Sequence, residues 1–81
     1  YTQVVSNTVT TPNGICYDEA NNRLVFVNWG SSAKIKAVDL ETYSVTTLVE
    51  NAGVGNIDGI DNDSYGNYYI SSWTPNRITR Y

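Results

Sequence analysis

The sequence predicts an all-β protein built from two copies of one four-stranded antiparallel unit. Short runs of β-branched and aromatic residues alternate along the chain with clusters of Asn, Asp, Gly and Ser, which is typical of strands joined by turns. No segment shows the 3.6-residue apolar period of an amphipathic helix. The second half of the chain also repeats the first. Together these observations favour a repeated meander of short strands.

The repeat is visible as residues that recur at a nearly constant spacing. This spacing shortens by one residue at each successive turn. The matched pairs lie 45, 44 and 43 residues apart and are Gly14 with Gly59, Trp29 with Trp73, and Ile35 with Ile78. We therefore expect the same strands in the same order in both copies.

The two copies predict the same set of strands in a permuted order. The strands predicted in the first copy, 13–50, are 14–18, 24–28, 34–39 and 45–50. Those predicted in the second copy, 58–81, are 59–63, 68–72 and 77–81. The fourth strand of the second copy is expected at 1–6, because this segment matches 45–50.

An antiparallel unit of this kind, with roughly 40–45 residues, has the size of a β-propeller blade, and propellers arrange about four to eight blades around a channel. Two blades cannot close such a ring. Three chains related head to tail would provide six blades, so the sequence predicts a homotrimer in which 1–6 of one chain pairs beside 77–81 of the next. The residues expected to form this contact are Tyr1, Val4, Val5, Ile78 and Tyr81.

Several residue strings within the repeat resemble those of a known group of proteins. They are Thr-Pro-Asn-Gly-Ile at 11–15, Leu-Val-Phe-Val-Asn-Trp-Gly at 24–30, Asp-Gly-Ile at 58–60 and Asn-Arg-Ile at 76–78. The pattern is similar to the NHL, YWTD and gluconolactonase (senescence-marker-protein) group of six-bladed propellers, and it covers essentially the whole chain. The resemblance implies a propeller architecture.

The same resemblance implies a metal site. In the gluconolactonase branch, an Asn and an Asp just before the glycine of the first strand, in different blades, coordinate a divalent metal in the channel, and Asn13 and Asp58 match those positions. In a trimer, three copies of each would form a ring of hard oxygen ligands suited to calcium. The family also uses a Glu from another blade, for which this chain has no equivalent. The alternative is that both side chains bond the backbone where the strands begin.

The two tryptophans are the other candidate site residues. Trp29 and Trp73 follow the second strand of each copy, on the side of the blades where Asn13 and Asp58 are expected. They are suited to stacking on a sugar, or equally to covering the gap between blades. The other residues expected at this channel mouth are Asn28, Asn56 and Asn76.

Composition excludes several classes of function. The net charge of −3 and the five scattered cations leave no basic stripe for nucleic acid. No run approaches the roughly 18 apolar residues of a membrane-spanning helix. The chain has no His, which removes Ser-His-Asp and Cys-His catalysis. The single cysteine, Cys16, is expected to be a buried apolar side chain, and Asp18 and Asp63 are expected to bond turn amides.

The expectation for function that follows is an assembly module, a propeller segment that closes a ring with copies of itself and has no catalysis of its own. One alternative is a metal-dependent lactonase or related hydrolase, in which Asp58 serves as general base. Another is a platform that binds a small molecule or a sugar at the channel mouth. The metal expected for the lactonase alternative is calcium.

Overall fold

The computed structural model describes residues 2–6 and 11–81 and contains two antiparallel sheets. The strands of the first sheet, in spatial order, are β1 (Pro12–Asp18), β2 (Arg23–Asn28), β3 (Ile35–Asp39) and β4 (Val45–Val49). Those of the second sheet are β5 (Gly55–Asn62), β6 (Tyr68–Thr74) and β7 (Asn76–Arg80). A single turn of 3₁₀ helix, Glu19–Asn21, joins β1 to β2. The predicted all-β class and the antiparallel meanders are confirmed.

Cross-strand pairing preserves the repeat that the sequence displays. In the first sheet Ile15 lies opposite Phe26, and in the second sheet Ile60 lies opposite Ile70. Ile60 is 45 positions after Ile15, and Ile70 is 44 positions after Phe26. The next pair of strands in each sheet shows the same relation. Lys36 lies opposite Phe26, and Thr79, which is 43 positions after Lys36, lies opposite Ile70. The spacing of the repeat therefore reflects the register of the sheets.

Asx-type hydrogen bonds and left-handed residues close the turns. The Asp39 carboxylate accepts hydrogen bonds from the backbone amides of Glu41 (2.8 Å) and Thr42 (3.0 Å) after β3. Asn22, with φ of 48°, ends the turn between β1 and β2 in the left-handed region, which Asn tolerates well. These local bonds explain why clusters of Asp and Asn predicted the turns.

Two strands of the second sheet are longer than predicted. β5 begins at Gly55 rather than at residue 59, because its first residue pairs with Thr74 at the end of β6. β6 continues to Thr74, so Pro75 alone separates it from β7. Pairing between neighbouring strands extends them through residues that the sequence marks as turn formers.

Residues 2–6 form no strand within the single chain. Val4 and Val5 are half-buried and line an apolar groove of about 270 Å³ on the outer face of the first sheet, together with Leu24, Phe26 and Val38. The strand predicted at 1–6 concerns pairing with another chain and stays a prediction. Tyr1, one of the predicted contact residues, lies outside the described residues.

The core lies between the two sheets, where β1 and β5 approach each other most closely. The five largest side chains that are almost completely inaccessible to solvent among the described residues each contribute about 1.5–3 kcal/mol to stability. They are Val25, Val27 and Ile35 from the first sheet and Ile57 and Ile70 from the second. The half-buried Cys16 packs against this cluster, and burial, with a smaller contribution from Asp61, raises the pKa of its thiol.

Among the described residues, no helix has the length and apolar composition that crossing a lipid bilayer would require.

Candidate functional site

Asn13 and Asp58, the two predicted metal ligands, are in contact. The Asn13 Nδ2 donates hydrogen bonds to the Ile57 carbonyl at 3.0 Å and to Asp58 Oδ1 at 3.3 Å. Both residues lie at interruptions of the regular strand pairing, in β1 and in β5. Such bulges change the direction of a side chain. The irregular pairing in β1 and β5 therefore brings the side chains of Asn13 and Asp58 together.

Gly14 permits this close approach of the two sheets. A Cβ atom at this position would lie 2.8 Å from the Asp58 carbonyl oxygen and 2.8 Å from the Cα of Gly59. Both obstacles are backbone atoms, so neither can move aside without shifting β5. The absence of a side chain at Gly14 is therefore required by packing of the second sheet.

The two tryptophans meet beside the same carboxylate. The indole rings of Trp29 and Trp73 pack edge to face, with centroids 5.9 Å apart and an interplanar angle of 70°. Trp73 Nε1 donates to Asp58 Oδ2 at 3.5 Å. Trp29 is 42% exposed and Trp73 is 62% exposed. The four residues that the sequence singled out thus form one accessible cluster, which we call the rim cluster: Asn13, Asp58, Trp29 and Trp73.

The asparagines expected at the channel mouth have mainly structural bonds. Asn28 is buried, and its Oδ1 accepts from the backbone N–H of Lys34 at 2.8 Å, which closes the loop after β2. Asn56 links the sheets, because its Oδ1 accepts from the Gly30 amide at 3.1 Å and its Nδ2 donates to Thr74 Oγ1 at 3.1 Å. Asn76 pairs with Trp73 at the start of β7 and is exposed.

The rim cluster of one chain does not supply a complete metal site. Asn13 and Asp58 provide two oxygen-bearing side chains, whereas calcium takes six to eight oxygen ligands. Across residues 2–6 and 11–81, no group of three or more His, Cys, Asp and Glu side chains is placed to hold a metal ion. Calcium binding stays a prediction that requires several chains.

Opposite the rim cluster, the Asp18 carboxylate joins the two sheets. Its Oδ2 accepts hydrogen bonds from Tyr68 Oη at 2.6 Å, Arg23 Nε at 2.9 Å and Asn21 Nδ2 at 2.9 Å. Burial opposes ionisation of this carboxyl, but the three hydrogen bonds and the Arg23 charge hold its pKa below the ordinary value. Asp18 was expected to bond turn amides; it makes no side-chain cap bond to the backbone of the following turn, and its donors are the side-chain amide of Asn21 in that turn and the side chains of Arg23 and Tyr68.

Asp63, the equivalent of Asp18 in the repeat, bonds its own turn as expected. Its Oδ1 accepts from the backbone amides of Tyr65 (2.9 Å) and Asn67 (3.0 Å). Its Oδ2 accepts from Asn67 Nδ2 and from Tyr69 Oη, both at 2.9 Å. These bonds, chiefly those from Asn67, lower the pKa of Asp63 to about 2. The two repeats therefore use the same residue type for different contacts.

Comparison of this chain with protein-family models, with curated proteins and with solved structures found no match.

Proposed function

We propose that this chain is an assembly unit of a six-bladed β-propeller, in which three copies form a closed head-to-tail ring. One observation carries the proposal. Contacts between the two sheets join residues at equivalent positions of the repeat: Asn13 with Asp58, the backbone at Gly14 with Gly59, and Trp29 with Trp73.

The contact between the sheets is heterologous, because the first sheet buries the face with Ile35 while the equivalent face of the second sheet, with Ile78, stays exposed, and such a contact can be repeated. If the operation that relates the first sheet to the second is a rotation, applying it again places a third sheet against the second in the same way. The ring closes when the rotation divides a full turn. Six blades of this size match the propeller architecture, and three chains of two blades supply them.

Gly59 supports a further contact of this kind. A Cβ atom at Gly59 would meet only the Ser71 Oγ, at 3.2 Å, and Gly59 does not occupy the left-handed region of backbone conformations. Nothing in the described chain therefore requires glycine here as strictly as at Gly14. In the proposed ring, Gly59 approaches the Gly14 region of the next chain, and the same close contact excludes a side chain.

The outer faces of the two sheets carry complementary apolar groups. Ile78 is 72% exposed, whereas its equivalent Ile35 is completely buried against the second sheet. On the outer face of the first sheet, Ile15 is 59% exposed beside the groove lined by Phe26. In the proposed ring, the face with Ile78 covers the face with Ile15. Burial of this apolar surface drives the association.

The face that Ile78 shares is more polar than its counterpart in the core. Tyr69 stands where the first sheet has Val25, and Arg80 stands where it has Ala37. Interfaces between separate chains are less apolar than protein cores. The proposed contact between chains is therefore weaker than the contact between the two sheets of one chain.

Analytical ultracentrifugation or native mass spectrometry tests the proposal. The expected result is a species with three times the 9.0 kDa mass of one chain, in equilibrium with the monomer. A monomer at all concentrations, or a dimer as the largest species, would overturn the ring.

A further inference from the structure

A polar groove lies next to the rim cluster and is not used by the proposed assembly. It has a volume of about 370 Å³, within the range of small-molecule sites. It is lined by the loops after β2 and β4, the start of β5 and the end of β6: the side chains are Ser31, Ser32, Asn51, Asn56 and Thr74, with the backbone of Gly53, Val54 and Gly55. Among the described residues that line it, none carries a charge.

The groove is held in shape by hydrogen bonds between its walls. Asn56 bridges the Gly30 amide and Thr74 Oγ1, and the Asn51 Oδ1 accepts from the Gly53 amide at 2.9 Å. A Cβ atom at Gly55 would lie 3.2 Å from the Gly30 carbonyl oxygen, so glycine keeps the two loops close together. The walls are therefore organised before any ligand arrives.

The exposed indoles lie one residue away from the groove along the chain. Trp73 precedes Thr74, which lines the groove, and Trp29 precedes Gly30, which is bonded to Asn56. Consecutive Cα atoms are about 3.8 Å apart. The rim cluster and the groove therefore adjoin the same two chain segments, at 29–31 and 73–74, and a ligand of more than one sugar ring is needed to span them.

We propose that the rim cluster and this polar groove together form a binding site for a neutral oligosaccharide. The apolar face of one sugar ring packs on the indole of Trp73, the more exposed of the two tryptophans, and Trp29 borders it edge to face. Its hydroxyls donate to the Asp58 carboxylate in charge-assisted hydrogen bonds. The next sugar ring lies in the groove, where hydroxyls and amides such as Ser31 and Asn51 both donate and accept.

The chemistry of the groove favours a sugar over an organic cation. A cation would be attracted by the indole faces and by Asp58, but an organic ammonium ion offers N–H donors at most and no acceptor. Sugar hydroxyls are donors and acceptors at once, as are the Ser, Thr and Asn groups of the groove. All of these residues belong to one chain, so binding does not depend on the proposed ring.

Titration of the ¹⁵N-labelled chain with cellobiose, lactose and diacetylchitobiose, followed by NMR, tests the site. At least one disaccharide is expected to shift the indole N–H signals of Trp29 and Trp73 and the backbone amides of Ser31 and Asn56 in a saturable way, with a Kd of about 1 mM. Tetramethylammonium serves as the competing probe. No saturable shift with any of the three sugars, or indole shifts with tetramethylammonium but not with sugars, would overturn the proposal.

Variants locate the binding. Trp73→Ala is expected to weaken sugar binding about tenfold, because a stacking surface is lost. Ser31→Ala is expected to weaken it about threefold, by removing one hydrogen bond. The matched control is Tyr65→Ala, at an aromatic residue that is 89% exposed in the turn between β5 and β6. Unchanged affinity in both Trp73→Ala and Ser31→Ala, with spectra showing folded chains, would place the sugar elsewhere.

Discussion

A hydrogen bond of 2.6 Å joins the hydroxyl of Tyr68 in the second sheet to the carboxylate of Asp18 in the first. The two residues are 50 positions apart, and Arg23 contacts both of them. At the opposite end of the inner strands, Asn13 contacts Asp58. Polar side chains thus connect the two sheets at both ends of the apolar core.

Removing the Tyr68 hydroxyl tests the contribution of this connection to stability. Tyr68→Phe removes one hydrogen-bond partner of the Asp18 carboxylate and of Arg23, but keeps the aromatic ring of residue 68. We expect a loss of about 1–3 kcal/mol in the free energy of unfolding, measured by urea denaturation. Tyr65→Phe is the control and should change stability by less than about 0.5 kcal/mol. Equal effects of the two substitutions would contradict the assignment.

The depressed pKa values of Asp63 and Asp18 predict a loss of stability in acid. A carboxyl whose pKa is lower in the folded chain than in the unfolded chain stabilises the fold above its ordinary pKa, and this contribution disappears as the pH falls through the folded value. For Asp63 the window runs from the ordinary value of 3.8 to about 2. Urea unfolding measured from neutral pH down through this window should show stability falling within it.

Asp63→Asn isolates the part of this acid response that belongs to Asp63. The amide oxygen still accepts from the turn amides, but it cannot ionise. We expect a smaller loss of stability across the same pH window than in the original chain, with the remainder due to carboxyls such as Asp18. Identical pH profiles for the two chains would show that Asp63 does not titrate as described.

The two equivalent glycines should respond differently to the same substitution. Gly14→Ala places a Cβ atom 2.8 Å from backbone atoms of β5, and we expect it to cost about 1–3 kcal/mol in the single chain. In Gly59→Ala the new Cβ atom meets only the Ser71 hydroxyl, so the monomer should be nearly as stable as the original chain. In the proposed ring it should block trimer formation. Ultracentrifugation of a folded Gly59→Ala chain that still forms trimers would contradict the proposed contact.

Ser32 provides a test of backbone strain in the polar groove. Its φ of 51° lies in the left-handed region, which disfavours residues with a side chain. Ser32→Gly should therefore raise the free energy of unfolding by up to about 1 kcal/mol, whereas Ser31→Gly, outside that region, should not raise it. Thermal or urea unfolding of both variants checks the difference. A gain at Ser31 and none at Ser32 would contradict this loop geometry.

The strands and their order could be predicted because their signals are local. Runs such as 24–28 alternate with turn formers, and the Asp39 carboxylate bonds the next turn within three residues. The extension of β5 back to Gly55 could not be predicted this way. It depends on pairing with Thr74, and that pairing is decided by the neighbouring strand.

From the sequence, Asn13, Asp58, Trp29 and Trp73 were expected only to lie on the same side of the blades. Equivalent positions of adjacent repeats come together when the repeats are rotated about a nearby axis, so the repeat made this proximity predictable. The polar groove beside them was not foreseen. Its walls come from two loops and from the ends of β5 and β6, and long-range hydrogen bonds of Asn56 hold them together.

The sequence by itself determined the all-β class, the strand order, the turns and the 45-, 44- and 43-residue spacing, since each rests on side-chain alternation and turn chemistry within a few residues. Only the tertiary structure decided that Asp18 reaches Tyr68 while its equivalent Asp63 bonds its own turn, and that Ile35 is buried while Ile78 is exposed. The physical reason is that burial and long-range hydrogen bonds depend on how one sheet lies against the other. Identical local patterns therefore acquire different partners.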